Sequence, residues 1–557
     1  MMQKLCSKFC SLQNFSLLAF FFLVVGNIDI LQAQPYSIIL GRPTDNSITA
    51  SVMFDQSAEF YLEYGIQKGD YPFKTNTVSL VKNMPEEIDL VNLMPNLRYY
   101  YRMQYRIAGT ASFVASPEYN FHTQRSTGNS FTFTIEADEH LYDKKGVKNM
   151  YDVTLANQAV DNPDFMLSLG DIFGDDHEPF TITSSELDVL HRNYRPFLGK
   201  ICHSIPFYVC LGNHEGEMDY YYNMNAPNNL CVWGTQWRKY YFPNPYPNGF
   251  YTGNTENEPY GIGNPENYYA WTWGDAMFVV LDVYRDQCDT SAKPGGWAWT
   301  LGRPQYNWLK STLETSTAKF KFVFAHHVRG QGRGGLTNAK FFEWGGYDGT
   351  NGTSYNFPNK RPGWEKPIHQ LFVDNGVSIF FQGHDHVFAH EVLDNIVYQT
   401  LPMAADSTYK IGMLANADAF VSDTLEGTGH LRVNVSSDCA KVDFVRAYLP
   451  ADTLKGKHQN REIAFSYNVG KCSSTGILTN HKFEKIKLFP NPANDHLMIQ
   501  SEAEIKITKI TLQNALGQNL LSTQNSVLDI QQIPNGIYFI AIESLQGNLI
   551  RKIIIQH

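Results

Sequence analysis

The rhythm of apolar and polar residues changes repeatedly along the chain, and each change marks a boundary. Lys4 and Lys8 precede an unbroken apolar run at 17–25, which is followed by the small-residue exit Leu31-Gln32-Ala33. A membrane-spanning helix needs about 20 apolar residues. A run roughly half that length between such flanks predicts a secretory signal over 1–33 and no transmembrane segment once it is removed. From 35 to 125, short runs at 36–40, 47–54, 59–64, 77–81, 97–107 and 118–122 alternate apolar and polar positions between turn residues, which predicts a small antiparallel β-sandwich. From 129 to 450 the grammar becomes one of short apolar strands, at 131–137, 164–169, 205–211, 277–281, 320–325 and 377–381. Helical patterns at 145–160, 305–314 and 366–375 lie between them, so this region reads as an α/β core with its ligands at strand ends. A polar stretch at 451–484 reads as a linker, and 485–557 returns to short β-runs with turns such as Asn535-Gly536.

Composition narrows this picture. At about 150 residues per domain, a chain of 557 residues holds about three or four domains. With 43% hydrophobic and 18% charged residues it is a folded globular chain, neither disordered nor fibrous. A net charge of -10 and a pI near 5.9 leave no basic excess, which argues against nucleic acid as the main partner. Cys6 and Cys10 precede the apolar run and leave with the signal. The even set Cys202, Cys210, Cys231, Cys288, Cys439 and Cys472 allows disulfides in an exported protein, with the pairing open. Cys202 and Cys210 flank one short strand that would hold them apart.

Polar clusters stand where five of the apolar strands end: Asp138-Glu139-His140, Gly170-Asp171, Gly212-Asn213-His214-Glu215, His326-His327 and Gly383-His384-Asp385-His386. Singly each is weak; in this order, each at a strand end, they point to a pair of cations. Imidazole with carboxylate and amide oxygen suits Zn, Mn or Fe, and no Cys lies in any cluster. In Asp138-x-His140 and His384-x-His386, residues two apart are expected on one strand face, and Asp171 is placed to bridge. Arg329 and Arg333, on a Gly-rich loop behind His326, are candidates for bidentate bonds to phosphate oxygens. The aromatic-rich insertion at 215–273 would cover the site, most of its rings packing the insertion itself. Asp175-Asp176-His177 reads as a solvated acidic turn.

These five blocks resemble the calcineurin-like metallophosphoesterase superfamily, which includes the purple acid phosphatases. The resemblance implies a central four-layer α/β sandwich flanked by N- and C-terminal β-sandwiches, and a dinuclear hydrolase of phosphate esters. It implies that Asp138, His140 and His386 hold one divalent or trivalent ion, that Asn213, His326 and His384 hold the second, and that Asp171 bridges. His327 competes with His326 as a ligand and is otherwise a substrate-binding candidate with Arg329 and Arg333. Such a pair of ions makes hydroxide available near neutral pH for in-line attack on phosphorus. By the same resemblance, His214 protonates the departing alkoxide. Gly174 stands where purple acid phosphatases have the tyrosine that colours Fe(III), so a colourless enzyme is expected.

Leu93-Met94-Pro95-Asn96-Leu97-Arg98-Tyr99 resembles the tyrosine corner of fibronectin type III domains. The tail, with Leu488-Phe489-Pro490-Asn491-Pro492, Asn514-Ala515-Leu516-Gly517 and Pro534-Asn535-Gly536-Ile537-Tyr538, resembles the sorting domain of type IX secretion substrates of Bacteroidetes. That implies export through the periplasm to the cell surface or beyond, with the secretion machinery as a partner. The resulting expectation is an exported phosphomonoesterase acting on small phosphate esters, with a phosphodiesterase or nucleotidase as the alternative on the same ligands. A non-catalytic surface-binding protein is the alternative of another class.

Overall fold

The computed structural model describes residues 34–142, 145–173, 180–222, 224–287, 296–328, 333–349, 352–411, 420, 423–454, 456, 458–472, 486–501, 507–514, 518–544 and 547–557. The signal at 1–33, Gly174, the Asp175-Asp176-His177 turn, Cys288 and Arg329 lie outside them. Among the described residues, no helix is long and apolar enough to cross a membrane.

Alternation at the start of the chain builds two facing sheets. Tyr36–Gly41, Ile48–Phe54 and Glu86–Leu90 form one; Ala58–Gly65 and Arg98–Ile107 centre the other. Leu40, Val52, Phe60, Leu62, Tyr101 and Phe121 are buried between them. The Tyr99 hydroxyl accepts the Met94 N–H at 2.8 Å and closes the corner between strands.

The middle of the chain forms four layers, α/β/β/α. One sheet has the order Phe207–Val209, Phe165–Ser168, Phe131–Glu136, Gly429–Val435, Cys439–Arg446, Ile463–Gly470, parallel in its first three strands and antiparallel after. The other sets Ala276–Val280, Phe320–Phe324, Ile379–Gln382 and Ile396–Thr400 parallel at its centre. Strand alternation divides their side chains between layers. Phe165 and Leu167 point between the sheets with Phe133, Phe278 and Phe324, while Met166 turns out toward Tyr151, Leu155 and Tyr194. Val279 and Val323 turn the other way, under Leu309, Leu313 and Phe372. The helices Lys148–Asp161 and Ser184–Leu198 thus cover one outer face, and Gly302–Thr315 and Ile368–Asp374 the other.

Two segments differ from the sequence expectation. The stretch read as a linker contains the strand Ile463–Gly470, which extends the first sheet and is fastened by the disulfide Cys439–Cys472. Its Phe465, Tyr467 and Val469 alternate and pack on the core between the sheets, a short strand signal set between polar stretches on both sides. The helix Ser184–Leu198 was also not read, although Thr183 and Glu186 form a reciprocal capping box at its start. Buried Arg195 on this helix bonds Ser37, Ser51 and the Tyr241 carbonyl, and Leu40 donates to the Cys202 carbonyl, so the N-terminal sandwich is seated on the central layers. At the C-terminus two further sheets, centred on His496–Gln500 and Ile507–Gln513, bury Leu497, Leu512, Ile540 and Ile553.

Candidate metal centre

Parallel strands end on a common rim, and the rim collects the polar clusters. Asp138 and His140 follow Phe131–Glu136, Asp171 follows Phe165–Ser168, Asn213 and His214 follow Phe207–Val209, His326 follows Phe320–Phe324, and His384 and His386 follow Ile379–Gln382. The expectation that Asp138/His140 and His384/His386 share a strand face is corrected here. All four lie beyond the last strand residue, in turns with left-handed backbone. The φ values are 55° at Asp138, 46° at His140, 63° at Asp171, 67° at His384 and 57° at His386. Left-handed turns, rather than strand alternation, bring these donors together.

The donors fall into overlapping groups, Asp138/His140/His386, Asp171/His326/His384 and His140/Asp171/His214, each with its donor atoms within 4.8 Å of one another. His140 Nε2 is 3.0 Å from His386 Nε2, and His326 Nε2 is 3.2 Å from His384 Nδ1. Asp171 Oδ2 stands between the sets, 3.6 Å from His140 Nε2 and 3.2 Å from His326 Nε2. Asn213 is buried at the same rim. Its Oδ1 and the Nε2 of His384 meet no hydrogen-bond partner among the described residues. Buried lone pairs left without a donor, beside paired carboxylates, fit a metal-binding set.

Surrounding groups fix these donors. The His326 Nδ1–H donates to the Leu169 carbonyl at 2.8 Å, which turns Nε2 toward the centre. The His384 N–H meets both oxygens of Asp138, and the His214 N–H takes Asp171 Oδ1 at 2.8 Å, leaving Oδ2 to the histidines. A Cβ on Gly383 would lie 2.5 Å from Asp138 Oδ2, so this approach requires glycine. Burial alone would raise both aspartates, but His140 and His386 hold Asp138, and His326 and His214 hold Asp171, well below the usual carboxylate range. Burial would likewise depress His326, yet Asp171 and Asp138 outweigh it and push it up to about 9. His384 is driven well below the ordinary imidazole value by burial and by its cationic neighbours His326 and Arg333.

His214 is the most open of the site histidines. Its side chain is 12% exposed, its Nε2 is 3.9 Å from Asp171 Oδ2, and its ring stands edge-on to His140 at 4.7 Å. His326 joins the donor groups and His327 does not. His327 is fully buried with its ring 4.8 Å from that of His384. Arg333 donates to the His384 carbonyl at 2.6 Å and lies 3.5 Å from Asp385, whose other oxygen takes the Gly334 N–H, so it fastens the Gly-rich loop to the rim. Two buried residues were given no role by the sequence reading. Tyr284 has its ring 6.0 Å from His326, and Glu215 accepts backbone N–H groups of Asp171, Ile172, Phe173 and Gly212. A carboxylate directly after Asn213-His214 was the available signal for Glu215.

The calcineurin-like phosphoesterase family matches residues 131–388, and the secretion system C-terminal sorting domain matches residues 487–556. No curated protein matches. Among solved structures, one described as the structure of PhoD aligns with a TM-score of 0.55 at 16% identity, covering 80% of this chain and 92% of that one. GAP50, described as the anchor in the inner membrane complex of Plasmodium, aligns with a TM-score of 0.33 at 14% identity, covering 62% of this chain and 90% of that one.

Proposed function

We propose that this chain, which carries a calcineurin-like phosphoesterase domain and a sorting domain that directs it to the cell surface or beyond, is an exported dinuclear phosphomonoesterase acting on small phosphate esters. Asp138, His140 and His386 would hold one ion, Asn213, His326 and His384 the other, and Asp171 would be shared. Metal ions in such a set supply Lewis acidity toward phosphoryl oxygens and an activated water. The observation that carries the reading is Asp171 Oδ2, within 3.6 Å of one donor from each set.

The chain's own groups have separate tasks. The His384 N–H holds the Asp138 carboxylate and the His214 N–H holds Asp171 Oδ1, which keeps Asp171 Oδ2 turned inward, so a phosphate meets the rim in one orientation. His214, at the open side, holds a proton on its imidazole and gives it to the ester oxygen as the P–O bond breaks. The cations Zn, Mn and Fe all suit this donor chemistry.

Elemental analysis of the purified protein, with parallel rates on nitrophenyl phosphate and bis(nitrophenyl) phosphate, tests the proposal. About two metal ions per chain and a faster monoester reaction are expected. A faster diester reaction would replace the monoesterase by the diesterase reading, and protein that takes up no stoichiometric metal would leave only a binding role.

A further inference from the structure

Glu215 is the carboxylate whose use is least explained by ester cleavage. It is buried, 3% exposed, directly beyond Asn213 and His214. Its Oε2 accepts from the N–H of Asp171 at 3.0 Å and of Gly212 at 2.6 Å; its Oε1 accepts from Ile172 at 2.6 Å and Phe173 at 3.1 Å. A carboxylate offers about four lone-pair positions, so backbone groups fill them all and none remains for a metal or a proton in transit.

Those four donors come from two different loops. Asp171, Ile172 and Phe173 belong to the turn after Phe165–Ser168, and Gly212 opens the turn after Phe207–Val209. The contact is reciprocal, since Asp171 Oδ1 accepts the His214 N–H at 2.8 Å from the loop that carries Glu215. The two backbones lie so close that a Cβ on Gly170 would fall 2.3 Å from the Gly212 nitrogen.

We infer that Glu215 is a positioning residue that locks the Asp171 turn and the Asn213-His214 turn into one rigid rim before any metal binds. The inference rests on the metal-centre reading above and deepens it. It accounts for the left-handed backbone at Asp171: three successive amides from Asp171 onward converge on one anion. Glutamine at 215 would present one acceptor oxygen and an amide that faces N–H donors, so two of the four bonds would be lost.

The test uses the full chain and Zn²⁺ as the probe. In Glu215→Gln, with folding verified by near-UV circular dichroism at the assay temperature, Zn²⁺ affinity by chelator competition should fall about 10–100-fold. With Zn²⁺ saturating, kcat should fall while KM stays within about twofold, the pattern of a disturbed rim rather than a lost binding contact. Zn²⁺ affinity within about threefold of the parent would overturn the inference. Should the variant not fold, hydrogen exchange on the metal-free parent decides. The amides of Asp171, Ile172, Phe173 and Gly212 should be protected without metal, and exchange at the rate of exposed loops would overturn the inference. A parent that binds Zn²⁺ yet cleaves no ester would remove the phosphatase reading while leaving the Zn²⁺-affinity and hydrogen-exchange readouts intact.

Discussion

His326 and Asp171 are paired at the rim, with Nε2 of one 3.2 Å from Oδ2 of the other. Burial works against a charge on His326, but the two aspartates outweigh it and raise the imidazole to about 9, so at pH 7 it carries a proton. A metal ion must displace that proton. Calorimetric titration with Zn²⁺ at pH 7 in buffers of different ionisation enthalpy should therefore show release of about one proton per chain from this pair, with affinity falling as the pH is lowered. Heats that do not change with buffer would contradict the assignment.

His214 should matter in proportion to the difficulty of the leaving group. His214→Ala is expected to lower kcat about 10²–10⁴-fold on alkyl phosphates and far less on nitrophenyl phosphate, whose leaving group needs no proton. Equal losses on both substrates would remove the general-acid role.

Gly383 tests the site without altering a donor. Its added Cβ would sit 2.5 Å from Asp138 Oδ2, and the side chain that must move is the one whose oxygens receive the His384 N–H. Gly383→Ala should lower metal retention and activity about tenfold or more while the thermal midpoint shifts little. Parental metal content and turnover in this variant would show that the close approach has no role.

The disulfide Cys439–Cys472 closes a loop of sequence separation 33 and holds the edge strand Ile463–Gly470. A loop of that size is worth about 3–4 kcal/mol by chain entropy. The double replacement Cys439→Ser/Cys472→Ser should lower the denaturant midpoint accordingly. Activity should survive where the protein is folded, because Cys439 lies at the Val435 and Phe131 end of the sheet, opposite the rim. Loss of activity in the folded variant would refute that separation.

Asp161 ends the helix Lys148–Asp161 and bonds His430 at 2.7 Å, Arg432 at 2.9 Å and Arg461 at 2.6 Å. Burial would raise its carboxyl, but these partners outweigh burial and hold it at about 2, against 3.8 for an ordinary aspartate. The folded value lies below the unfolded one, so the group stabilises the fold above pH 4 and the contribution disappears as the pH falls through about 2. Its size is about 2 kcal/mol. Asp161→Asn should be less stable than the parent at pH 5, with the gap narrowing toward pH 2; a gap independent of pH would refute the ion-pair account.

The layers and the rim could be read from the chain because burial and strand ends leave strong patterns. Apolar runs such as 320–325 stop at a polar residue where the strand leaves the core, and parallel strands bring those stops together. The reason the donors converge could not be read in the same way. Aspartate and histidine do not announce a left-handed backbone as glycine does, so Asp138-x-His140 looked like strand alternation. The Cys439–Cys472 pairing was hidden for a related reason: it depends on a short edge strand set between polar stretches that resemble a connection. His326 and His327 were adjacent and chemically alike, and only the fold separates the one that faces the centre from the one packed behind His384.

The five donors with φ between 46° and 67° set a price on mutational drift. Each holds a side chain in a conformation that glycine or asparagine tolerates better, at about 1 kcal/mol or more apiece. A lineage that had abandoned chemistry and kept only its scaffold would gain stability by relaxing these positions first. An ion that binds only the folded rim stabilises it by mass action, so the melting temperature should rise with metal concentration.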